Sequence, residues 1–95
     1  MVKHIVMLKL KEKTQENLEK MKAAIMGLEG QIEGLQDIEV GFDYLQQPRS
    51  YDLVLTATLD DKASLERYAH HPKHMPVLEI TGGLSEHTVA VDYEI

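Results

Sequence analysis

Three of the five histidines and one of the four tyrosines lie in a single stretch, Tyr68-Ala69-His70-His71-Pro72-Lys73-His74. If the chain does chemistry on a small molecule, this is the place for it, since an imidazole changes protonation near neutral pH and a tyrosine hydroxyl can donate or accept a hydrogen bond. The first reading is therefore a small-molecule pocket using Tyr68 and His74. Metal binding is a second chemistry for the stretch, because His71 and His74 are three apart and His70 is adjacent. However, the nearest carboxylates, Glu66 and Glu79, complete no recognisable ligand pattern, and there is no cysteine. A third reading is architectural, with Pro72 breaking a helix, His74 bonded to a carbonyl or carboxylate, and Tyr68 packed on a sheet.

The positioning elements follow from local rules. Pro72 lacks an N–H and biases His71 away from helical angles, so a helix through Leu65 and Tyr68 should end near His70. Asp60 or Asp61 supplies its cap, giving a helix of about Lys62 to His70. Pro72 can then open a second short helix with His74 in its first turn. Tyr68 and His74 would flank the break and point into one space.

Upstream, Val2 to Leu10 alternates, with Val2, His4, Val6, Leu8 and Leu10 on one face and Lys3, Ile5, Met7 and Lys9 on the other. This predicts a strand apolar on both faces at its centre, with His4 on the same side as the apolar set. Thr14 can cap a helix whose stripe is Leu18, Met21, Ile25, Leu28 and Ile32, weakened at Gly27 and Gly30 and ending near Gly34. Met21 and Met26 read as packing residues. Strands over Asp37–Tyr44 and Tyr51–Leu59 form a hairpin around a loop in which Arg49 is solvated. Thr81-Gly82-Gly83 reads as a flexible turn before a last strand carrying His87, Val89, Val91 and Tyr93. The order is β-α-β-β-α-β, an α+β ferredoxin-like single domain over residues 1–95.

An excess of 16 acidic over 10 basic residues, net −6, argues against nucleic acid and against anionic membrane surfaces as partners. The opening residues read as a strand rather than a signal peptide, and no apolar run approaches the ~20 residues of a membrane span, so the expected location is cytoplasmic. Helices on one face of an antiparallel sheet leave the other face bare and, here, apolar. A second copy pressed against that face is the simplest cover, which predicts a homodimer.

Val2-Lys3-His4-Ile5-Val6-Met7-Leu8-Lys9-Leu10, Ile38-Glu39-Val40-Gly41, Tyr51-Asp52-Leu53-Val54-Leu55, the tyrosine–histidine stretch and Val91-Asp92-Tyr93 together resemble the stress-responsive dimeric α/β-barrel (Dabb) family across nearly the whole chain. The resemblance implies a ferredoxin-like protomer pairing into a dimeric α/β barrel. One family member, a plant polyketide cyclase, closes its substrate by aldol condensation without a cofactor. Its essential tyrosine and histidine fall on Tyr68 and His74, and a first-strand histidine falls on His4. The resemblance thus implies Tyr68 and His74 as catalytic candidates, His4 as a weaker one, and no cofactor. The expected function is binding or transforming a small organic molecule in a barrel-side pocket. The alternatives are a non-catalytic stress-linked structural or oligomeric protein, and a polyketide-cyclase-like or monooxygenase-like enzyme.

Overall fold

The central strand is β1 (Val2–Leu10), and both of its neighbours are antiparallel to it. A computed structural model describes all of residues 1–95. Around β1, strands β2 (Leu35–Phe42), β3 (Leu53–Leu59) and β4 (Ser85–Glu94) form one sheet of order β2-β3-β1-β4. Three helices accompany it: α1 (Gln15–Met26), α2 (Lys62–His70) and α3 (Met75–Leu84). This is the ferredoxin-like β-α-β-β-α-β plan with its second helical segment split in two.

The alternation predicted for β1 holds. Val2, Leu8 and Leu10 are buried against the helices, and their cross-strand partners Leu59 and Leu53 lie in the same core. Odd-numbered β1 residues face away. There Ile5 pairs with Val91 and Met7 with Val89, and both valines are exposed, as is Tyr93. The sheet therefore has one packed face and one bare apolar face, as the sequence predicts.

Both predicted caps form. Thr14 accepts from Asn17 N–H at 3.1 Å, and Asp61, not Asp60, accepts from Ser64 N–H at 2.8 Å. That bond holds the Asp61 carboxyl below the usual carboxylate range. Gly34 adopts a φ of 91°, and a Cβ there would come within 2.8 Å of the Ser64 Cβ, so only glycine lets this turn pass the start of α2.

Several boundaries differ from expectation. The first helix stops at Met26 with Gly27 as its cap, yet Leu28 and Ile32 stay buried in the turns that follow. The helical spacing survives because those turns press the same side chains on the core. β2 lies two residues earlier, since the Asp43 side chain takes Gln46 N–H at 2.7 Å and starts the loop, leaving Tyr44 exposed. β3 begins at Leu53, because Asp52 is used otherwise. Thr81-Gly82-Gly83 is helical, the last turns of α3. The two glycines do not break it, because Val77 and Thr81 bury one side of the helix.

Asp52 is a buried carboxylate that accepts from Leu10 N–H at 2.9 Å and lies 3.6 Å from Lys13 Nζ. It ties the end of β1 to the start of β3. Asp52→Ala leaves a buried donor unpaired and should cost about 1–3 kcal/mol in urea unfolding. Asp52→Asn, which keeps an acceptor oxygen, should cost less; equal losses would show that the hydrogen bond is not what matters.

Candidate functional site

α2 must end where it does because Pro72 follows. His71 leaves helical angles (ψ 137°), its N–H bonds the Tyr68 carbonyl, and His74 N–H bonds the His71 carbonyl at 2.9 Å. This turn brings His74 beside the last turn of α2, next to the Ala69 carbonyl. The new helix starts at Met75 with Pro76 in its first turn, not at Pro72 as expected, and His74 is its cap residue.

The turn places His74 on Tyr68. Their ring centroids are 4.5 Å apart with planes tilted by 35°, and the His4 ring, arriving from β1, meets Tyr68 edge-on at 5.7 Å. All three side chains singled out in the sequence thus meet in one place. His70 and His71 do not join them at the cavity wall, and no three metal-ligating side chains gather anywhere in the chain.

The three rings border a cavity of about 410 Å³ between the helices and the sheet, with 10 of its 15 lining residues hydrophobic. Besides Tyr68, which is one of those ten by its ring, the polar lining is His4, His74, Thr81 and Thr88, with no Lys, Arg, Asp or Glu. Tyr68 is 1% exposed, and loss of hydration pushes its pKa up to about 12, so it stays a phenol and hence a donor. Burial is the cause of that shift, and no hydrogen bond contributes to it. The His74 pKa is lowered from 6.5, first by the same burial, with the nearby His4 and His71 adding to it; the Ala69 carbonyl opposes.

The hydrogen bonds also choose tautomers. His74 Nδ1 sits 3.2 Å from the Ala69 carbonyl, an acceptor only, so Nδ1 carries the hydrogen and the neutral ring offers Nε2 as its base. His4 repeats this arrangement, its Nδ1 donating to the Asp92 carboxylate. Asp92 is the site residue that sequence reasoning passed over. The signal was its place opposite His4 in the β1–β4 register, which needs the strand pairing to be known. The arrangement offers two imidazoles, each oriented through its Nδ1, and one phenol donor in an apolar enclosure.

With this geometry in view, similarity to known proteins is informative. A family profile, the stress responsive A/B barrel domain, matches residues 2–95. An uncharacterised Streptomyces coelicolor protein is 30% identical over 97 residues, covering 99% of each chain. A dimeric protein of unknown function with a ferredoxin-like fold from Bacteroides fragilis is 31% identical, with a TM-score of 0.83 over 99% of this chain and 95% of that one. A hydroxynitrile lyase from Passiflora edulis shares the fold, at 16% identity and a TM-score of 0.86 over 99% and 92% of the two chains.

The lowered His74 pKa has a consequence for stability. Above 6.5 the ring is neutral whether the chain is folded or not, and its full contribution is present. As pH falls through 6.5 the unfolded chain takes the proton first, so stability is lost until pH passes below the folded-state value. Unfolding curves between about pH 7.5 and 5 should show this decline, and His74→Gln should flatten it. An NMR titration placing the His74 midpoint at or above 6.5 would contradict the assignment of a desolvated ring.

Proposed function

This chain belongs to the stress responsive A/B barrel domain family, and we propose that it binds an uncharged small organic molecule in the α2–α3 cavity and moves a proton on it. The observation that carries this reading is the convergence of Tyr68, His74 and His4 on an apolar cavity without charged lining. A charge brought there would lose its hydration and find no partner. An apolar body with one carbonyl-type group fits, its oxygen reached by the Tyr68 hydroxyl. His74 Nε2 is the base. It takes a proton from the carbon beside the carbonyl, and the negative charge that develops on oxygen is met by the phenol. The His4–Asp92 pair supplies a second oriented imidazole whose Nε2 can accept or relay a proton. A purely structural role would favour a filled interior, and the cavity supports the ligand-binding reading over it.

Propiophenone, an uncharged aryl ketone, tests the proton step through exchange of its α-hydrogens in D₂O, followed by NMR. His74 removes a proton and returns a deuteron, so no other reactant is needed. The protein should speed exchange beyond free imidazole, and His74→Ala should lose about 10²–10⁴-fold of that acceleration. Tyr68→Phe should lose less, by removing only the donor to oxygen. A wild-type rate equal to that of imidazole buffer would refute the proton-transfer reading.

The same reading includes a homodimer formed through the bare sheet face. Its support is the apolar stripe of Ile5, Met7, Val89, Val91 and Tyr93, together with the dimeric state of the Bacteroides fragilis relative. Val91, 59% exposed at the middle of the stripe, is the residue to change. Wild-type chain should sediment at twice its 10.8 kDa mass, and Val91→Glu should shift it toward 10.8 kDa. A wild-type monomer at micromolar concentration would count against the dimer.

A further inference from the structure

The cavity has an entrance, and its lining shows where. Most lining residues are buried or half-buried, but Leu78 (44% exposed) and Gly82 on α3 are open to solvent, as are Thr88 and Ala90 on β4 and Ala69 in the last turn of α2. Four of these five border the gap between α3 and the edge strand β4, so the mouth lies there.

We propose that Gly82 keeps this mouth open and so determines the size of ligand admitted. His74, Leu78 and Gly82 are spaced four residues apart, so they form one stripe along α3, and all three line the cavity. A side chain at position 82 would continue the stripe across the opening. Nothing lies within 4 Å of a Cβ built at Gly82, so no packing contact or backbone approach demands a glycine there. Its φ is not in the left-handed region either. Helix propensity argues against glycine at such a position. What the missing side chain leaves behind is space over the mouth. Gly83 supplies the contrast. It is equally helical, exposed and free of neighbours within 4 Å, yet it does not line the cavity, being turned about 100° around the helix from Gly82.

This assignment rests on the proposed ligand cavity, and the two can fail separately. The test uses prodan, an uncharged naphthyl ketone whose emission shifts to the blue in an apolar site, with binding followed by stopped-flow fluorescence. Gly82→Leu and Gly83→Leu add the same bulk and the same helix propensity at adjacent positions. Both should fold, checked by circular dichroism, and both should raise Tm. Gly82→Leu should slow prodan association at least tenfold, with a smaller effect on propiophenone, whereas Gly83→Leu should stay within twofold of wild type. Equal effects at the two positions, or none at position 82 while wild type binds, would overturn the role of Gly82 and leave the cavity standing. If wild type binds neither ketone, the ligand-binding reading falls and the entrance falls with it.

Discussion

The turn from His71 to His74 is the constraint on which the site depends. It is local in cause, since Pro72 prevents α2 from running on and two short backbone bonds close the reversal. Its effect is tertiary. Without the reversal, Tyr68 would be an ordinary core aromatic. With it, the imidazole of His74 lies on the Tyr68 ring, and α3 starts from a point that makes it a cavity wall instead of a continuation of α2. Burial of Tyr68 then acts on protonation, because the loss of water that keeps the phenol protonated also keeps the neighbouring imidazole neutral. A base and a hydrogen-bond donor thus coexist, with burial the first cause of both shifts.

Much of this was legible before any coordinates. Alternation in β1 placed His4 on the packed side, and Pro72 placed Tyr68 and His74 on either side of a helix break. Those signals are short-range, so they survive reading without the rest of the fold. What could not be read is what depends on pairing or on packing. Asp92 gains its meaning only opposite His4 across two strands separated by most of the chain. Leu28 and Ile32 keep helical spacing although no helix runs there, because spacing records which side chains face the core and not how the backbone gets them there. Gly82 and Gly83 have the composition of a turn, yet Val77 and Thr81 hold their segment to the sheet as a helix. Tertiary burial outweighed local propensity at that point.

The domain leaves two liabilities in place that a stability-driven design would remove. One is the apolar face carrying Val89, Val91 and Tyr93, and the other is the cavity beside Tyr68. A chain of this size buries only about 60–65% of its unfolded surface, so neither is trivial. Covering the bare face with a second copy would recover hydrophobic stabilisation that the unfilled interior forgoes. Assembly and cavity are then linked by energy, even though the cavity lies on the opposite side of the sheet.

They are also linked by geometry, through β1. Its even-numbered residues run His4, Val6, Leu8 into the cavity, and its odd-numbered residues run Ile5 and Met7 onto the bare face. A strand has a side-chain period of two, so sliding β1 by one residue would exchange these sets. His4 would leave Asp92 and Tyr68 for the apolar face, and Ile5 would enter the cavity. Register is held at both edges of the strand, by seven paired positions with β3, by the β4 pairing, and by Asp52 fastened to Leu10 N–H. The carboxylate at Asp52, far from the histidines in sequence, thereby helps keep His4 facing Tyr68. A single strand thus specifies both the chemistry on one side and the contact surface on the other, and neither can drift without the other following.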